Sequence, residues 1–180
     1  MRRFHLFLPA LALAVSACAE GLGNSMLAWP APRPTPSPAE LVEQLRLELI
    51  PAVDSPTGYG PSFDRAGYAE LLDWNQSIRP MEAWADDYEA LDVTLPCCKA
   101  AHANRDETRN CGCGHHAALF GASKGLLQRG YSLAQTQAEL DRWKAFFFPK
   151  ERLTAELKRR ALTDPAFEQA IQSLQEQGLC

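Results

Sequence analysis

Ser132-Leu133-Ala134-Gln135-Thr136-Gln137-Ala138-Glu139-Leu140-Asp141-Arg142-Trp143-Lys144-Ala145-Phe146-Phe147-Phe148-Pro149 carries a helix start, a helix face and a helix stop in one run. Ser132 and Gln135 have capping-box spacing, in which each side chain can satisfy the other residue's backbone N–H. Leu133, Thr136, Leu140, Trp143 and Phe147 recur every three or four residues, so they share one face. Pro149 ends the run, because its ring cannot continue the hydrogen-bond ladder. Gly130, just upstream, is a stop for a preceding helix.

The same grammar repeats on both sides. Ser37-Pro38-Ala39-Glu40 is another capping box, with proline at the first helical position. Leu41, Val42, Leu45 and Leu49 follow at helical spacing, and Pro51 stops them. Residues 52–62 are rich in Pro and Gly and read as loop. A second helix is predicted over 63–78, with Tyr68, Leu71, Leu72 and Ile78 apolar. Pro80 opens a third, marked by Met81, Trp84, Ala85, Tyr88 and Leu91. A helix starting near Gly114 presents Ala118, Leu119, Ala122 and Leu126 on one face. After Pro149 a helix is expected over 150–162, and Asp164-Pro165 starts a last one with Phe167, Ala170, Ile171 and Leu174. No alternating strand or internal repeat stands out. The expectation is an all-α fold: one small domain over residues 39–180, with about five to seven helices and an irregular Cys/His-rich loop. The aromatic residues Trp84, Tyr88, Trp143 and Phe147 belong to its core.

The N-terminus supplies an address. Met1-Arg2-Arg3 is a basic start, Phe4–Ala14 is largely apolar, and Val15-Ser16-Ala17-Cys18 closes it. This is the pattern of a secretory signal over residues 1–17. Its ending resembles a bacterial lipobox, which implies lipid attachment at Cys18. The apolar run falls short of the ~20 residues that span a bilayer. Residues 18–38 then hold the lipidated cysteine and a proline-rich spacer, Trp29-Pro30-Ala31-Pro32-Arg33-Pro34-Thr35-Pro36-Ser37-Pro38. The expected location is extracytoplasmic, lipid-anchored to a bacterial membrane. With Ala19 after the cysteine, that is the periplasmic side of the outer membrane if the cell is Gram-negative. Removing Arg2 and Arg3 from 18 basic residues leaves 16 against 22 acidic ones, a net charge of −6. That acidity speaks against nucleic acid as a partner. The expected partners are the membrane, through the lipid, and another envelope protein.

Chemistry is concentrated between Pro96 and His116. That stretch holds Cys97, Cys98, Cys111 and Cys113 with His102, His115 and His116, out of 6 cysteines and 4 histidines in the chain. There is no C-x-x-C-H for haem attachment and no C-x-x-C of thioredoxin type. No phosphate-binding loop or carboxylate dyad appears either, so neither haem nor nucleotide is expected as a cofactor. Gly112 lets the backbone turn tightly between Cys111 and Cys113. A helix beginning near Gly114 places Cys113 at its N-terminal end, where the dipole favours thiolate over thiol. His115 and His116 point about 100° apart, so only one readily faces the cysteines. Soft thiolates with imidazole suit Cu(I) or Zn(II). The candidate metal ligands are therefore Cys97, Cys98, Cys111, Cys113, His115 and His116. An oxidising compartment equally permits disulfides, for example Cys97 to Cys113 with Cys98 to Cys111. The third use is thiol–disulfide exchange, with Cys113 as nucleophile. Residue types and spacing leave all three open, along with Cys180 as a further thiol.

The stretch from Tyr88 to about Phe148 resembles the bacterial lipoproteins named for a P-C-Y-C-G-C motif. The likeness rests on Leu95-Pro96-Cys97, on Cys111-Gly112-Cys113-Gly114-His115-His116, and on the helix and Gly130-Tyr131-Ser132 turn that follow. The motif is split here: Pro96-Cys97-Cys98 and Cys111-Gly112-Cys113 look like its separated pieces. The resemblance implies a lipoprotein with a functional Cys/His site and no particular reaction. A fainter similarity is to thiol-oxidoreductases of cytochrome c maturation, whose cysteines are spaced C-x-x-C where this chain has C-x-C. The resulting expectation is a membrane-anchored protein that binds a soft metal, copper before zinc. A thiol–disulfide oxidoreductase or a scaffold with a stapled loop are the alternatives.

Overall fold

The computed structural model describes residues 36–97 and 112–176, all within one unit that begins at Thr35. The signal segment, Cys18 and most of the proline-rich spacer lie outside the described residues, as do Cys98, His102, Cys111 and Cys180.

The fold is all-α. Among the described residues there are seven α-helices: α1 (Pro38–Leu49), α2 (Arg65–Ser77), α3 (Ala85–Ala90), α4 (Gly114–Gln128), α5 (Leu133–Phe147), α6 (Pro149–Ala161) and α7 (Pro165–Glu176). None is long and apolar enough to cross a membrane. Both capping boxes are present: Ser37 with Glu40 opens α1, and Ser132 with Gln135 opens α5. Asp64 caps α2 by accepting from the Gly67 amide at 2.7 Å. Its carboxyl is held below the usual range, first by the Ser62 hydroxyl and then by that amide.

The expected third helix is broken. Glu82–Trp84 form a 3-10 turn, and only Ala85–Ala90 continue as α-helix. The reason is local: Met81 at the start has no side-chain oxygen to cap the turn, and Trp84 has non-helical backbone angles. Leu91, assigned to that helix from its spacing, instead begins an extended segment.

Helix α4 is the centre of the main core. Every residue from Ala118 to Leu127 is buried, not one face alone. A helix enclosed on all sides must also bury its polar residues with partners. The Ser123 hydroxyl donates to the Leu119 carbonyl, and Lys124 Nζ donates to Asn75 Oδ1 at 2.8 Å. The ammonium of Lys124 thereby sits at the C-terminal end of α2, where the helix dipole favours a cation. Gly121 and Gly125 let α2 and α4 approach closely. A Cβ on Gly121 would lie 1.8 Å from the Leu71 carbonyl oxygen, and one on Gly125 2.1 Å from the Trp74 ring. Around this contact pack Phe63, Phe120, Leu126, Leu140 and Trp143. The Trp143 indole donates to the Tyr59 hydroxyl at 2.8 Å, and burial pushes that hydroxyl's pKa up. Of the aromatic set, Tyr88 and Trp143 are buried, while Trp84 and Phe147 are partly buried against the same core. A second, aliphatic core joins α1, α6 and α7 through Leu45, Leu157 and Phe167.

Candidate thiol site

Two chain segments build the site. The first is Leu91–Cys97, in which Leu91, Val93 and Leu95 are buried while Asp92, Pro96 and Cys97 are exposed. This two-residue alternation belongs to an extended segment of chain, and it is legible as Leu91-Asp92-Val93-Thr94-Leu95-Pro96. A reading that looks for helices passes over it because it is short and follows a helical run. Side chains of α5 hold its outer end. Gln137 matches the Asp92 backbone at two points: its Oε1 accepts from the Asp92 amide at 2.9 Å, and its Nε2 donates to the Asp92 carbonyl at 3.2 Å. Lys144 Nζ donates to the Asp92 carboxylate at 3.1 Å. Burial raises the pKa of that carboxyl. The Thr94 hydroxyl and amide, with the Lys144 charge, outweigh burial and leave it below its ordinary value.

The second segment is the start of α4. Gly112 has φ +68°, the left-handed conformation that glycine adopts without strain, and Cys113 is the extended N-cap residue. The two segments bring Cys97 Sγ to 3.9 Å from Cys113 Sγ. Cys97 is exposed and Cys113 half-buried. That separation is about 2 Å longer than a disulfide bond. It is close to the spacing of two thiolates on one ion: bonds of ~2.3 Å put the sulfurs about 3.8 Å apart in a tetrahedral site and about 4.0 Å apart in a trigonal one.

The two histidines part company. His116 is fully buried, and its Nε2 lies 2.9 Å from the Val93 carbonyl oxygen. A carbonyl only accepts, so Nε2 carries the proton and donates. The ring stacks on Phe120, 9° from parallel at 5.8 Å between centroids. His115 turns outward into an aromatic wall, with centroids 4.8 Å from Phe147, 5.2 Å from Phe148 and 6.1 Å from Tyr68. The Tyr68 hydroxyl fills the space beside Gly114, where a Cβ would lie 1.9 Å from it.

Of the six sequence-predicted ligands, then, Cys97 and Cys113 are brought together. His116 is turned into the core, against the Val93 carbonyl and the Phe120 ring, and His115 faces an open groove of about 720 Å³ lined also by Tyr68, Arg65 and Phe147. Cys98 and Cys111 are outside the described residues, one position after Cys97 and two before Cys113 in sequence. Among the described residues, no three His, Cys, Asp or Glu side chains converge as a metal-ion cage. A smaller cleft of about 340 Å³ flanks the Cys97 side, lined by Thr94, Pro96, Lys144, Phe148 and Arg152.

Comparison with known protein families, with characterised proteins and with solved structures found no match.

Proposed function

We propose that this protein binds a soft metal ion, copper(I) ahead of zinc(II), through thiolates gathered at the start of α4, and does so outside the cytoplasm on a lipid tether. The observation that carries the reading is the approach of Cys97 and Cys113 to 3.9 Å. Sulfur donors select copper(I) and zinc(II) over hard cations. Cys98 and Cys111 are the further donors this reading calls on. When bound, the ion supplies a Lewis-acidic, thiolate-ligated centre. The protein supplies two sulfurs held on separate rigid segments.

The test is metal uptake under reducing conditions, measured by competition against a chromogenic chelator. The unaltered chain is expected to hold Cu(I) at least tenfold more tightly than a Cys97→Ser/Cys113→Ser variant, a loss of about 1.4 kcal/mol or more. Equal uptake by both would sink the proposal.

A second reading is a thiol–disulfide redox protein of the cell envelope. It is favoured by the same sulfur pair, because exchange needs only two thiols and one of them, Cys97, is exposed. Its measure is the reduction potential of the pair. A potential far below that of the compartment would make the bridge a structural staple.

A further inference from the structure

The groove that His115 faces is walled by rings and rimmed by carboxylates. Tyr68 comes from α2, His115 from the first turn of α4, and Phe146 and Phe147 from the last turn of α5. All four side chains are half-buried, so each keeps part of its ring toward solvent. Tyr68 and Phe147 stand at 87° to one another with centroids 5.8 Å apart. His115 lies 4.8 Å from Phe147 and 6.1 Å from Tyr68. Asp54 and Asp64 line the same groove against one cation, Arg65. Its volume of about 720 Å³ is that of a small-ligand site, a class that spans about 300–1,000 Å³.

Two observations point to the charge of a ligand. An aromatic face is electron-rich and attracts a cation. Elsewhere in the domain the chain supplies that cation itself: Arg129 lies 4.0 Å over Trp74, Arg142 4.9 Å over Phe63 and Arg160 5.5 Å over Phe167. Among the described residues no Lys or Arg covers Tyr68, Phe146 or Phe147, and Arg65, exposed at the first position of α2, lies over none of them. The second observation is the carboxylates. Asp64 is held ionised by the Ser62 hydroxyl and then the Gly67 amide. The exposed Asp54 carboxylate has no hydrogen-bond or ion-pair partner among the described residues. Two carboxylates against one guanidinium, beside uncovered ring faces, make the groove electronegative.

We propose that this groove binds a small organic cation, a quaternary or methylated ammonium compound free in solution, with Tyr68 and Phe147 against its methyl groups and Asp54 as counter-charge. Such a head spreads its charge over an apolar shell and asks for no hydrogen bond, which suits rings that offer none. A free solute fits better than a phospholipid head, which would bring a phosphate beside Asp54 and Asp64. The inference uses none of the cysteines, so it stands or falls apart from the metal reading.

The full chain is titrated with choline at constant ionic strength. Beside it runs the uncharged analogue with a tert-butyl group in place of the trimethylammonium. Binding is read by calorimetry and by saturation-transfer NMR. Choline is expected to bind at least about fivefold more tightly than the uncharged analogue, the scale of a cation on half-buried rings. Asp54→Asn keeps the shape, and asparagine accepts the left-handed backbone there, φ +64°. It is expected to weaken choline about threefold and leave the analogue unchanged. Tyr68→Leu keeps bulk but removes the ring, and is expected to weaken choline about fivefold and the analogue less than about twofold. Absence of choline binding, or equal affinity for choline and its analogue, overturns the proposal. So does phosphocholine binding more tightly than choline, which would assign the groove to a lipid head. If both variants bind choline like the unaltered chain, the cation sits elsewhere and the proposal is overturned. Should Tyr68→Leu fail to fold by circular dichroism, the Asp54→Asn result decides alone.

Discussion

The two cores of this domain are built differently. Around α4 the packing is aromatic and close: Phe63 and Trp143 centroids are 4.6 Å apart, and glycines bring α2 and α4 backbone to backbone. Two buried polar side chains there are paired across elements, His116 with the Val93 carbonyl and Lys124 with Asn75. The core of α1, α6 and α7 is mostly aliphatic, with Leu41, Leu49, Leu153 and Leu174 around Leu45 and Leu157. Its edge is laced by charges: Glu156 accepts from Arg159 and Arg160, and Arg160 also reaches Glu48. Leucine faces adjust to small shifts, whereas rings against glycines do not. The thiol pair stands on the rigid core, and none of its described parts rests on the adaptable one. Side chains that have to keep a set separation are best held by the first kind of packing.

The sharpest way to break this contrast is to disturb each core in turn. Gly121→Ala would push α4 off α2, at a cost of about 3 kcal/mol, the upper end for overpacking. Because α4 carries both Cys113 and His116, the same change should shift the Cys97–Cys113 exchange equilibrium. Leu45→Ala should cost a comparable amount, about 2–5 kcal/mol, while leaving that equilibrium alone. Denaturant unfolding beside glutathione equilibration checks both. If Leu45→Ala moves the thiols as much as Gly121→Ala does, the two cores are not separable.

Acid offers a milder probe of the second core. Hydrogen bonds from Arg159, then Arg160, bring the Glu156 carboxyl down to about 2 from an ordinary 4.5. With the folded value below the unfolded one, this contribution is complete above about pH 4.5 and drains away as pH falls toward 2. Unfolding measured across that window should show Glu156→Gln losing less stability on acidification than the unaltered chain. Parallel loss in both would mean the charge network is ornamental to the α1–α6–α7 packing. The smallest expected effects are at the caps. Ser37→Ala and Ser132→Ala should each cost about 1 kcal/mol, since each removes one acceptor from a helix start regardless of which core lies below. A much larger loss at Ser132 would show that the rigid core amplifies even local changes.

The helices were legible because their limits are local. The serines of both capping boxes, with Pro51, Pro149 and Pro165, mark boundaries through contacts within a few residues. The structure has α1 at Pro38–Leu49 and α5 at Leu133–Phe147. Where the end signal was weaker, at Met81, periodicity alone overran into Leu91. The full burial of α4 was not readable from Phe120, Ser123 or Lys124, because how many neighbours surround a helix is a property of the assembled bundle. Yet Gly121-Ala122-Ser123-Lys124-Gly125 did carry a signal of close helix contact in its two glycines, four residues apart.

At the site, the donor types, their division into two arms and the place of Cys113 at a helix start could all be read along the chain. These follow from residue chemistry and from capping rules that act over one turn. That Cys97 comes near Cys113, that His115 faces the groove and that His116 turns inward to Val93 depend on contacts between distant segments. Neighbouring residues in a first helical turn point about 100° apart. Which of them looks at the site depends on where the rest of the bundle supplies an aromatic wall or a waiting carbonyl.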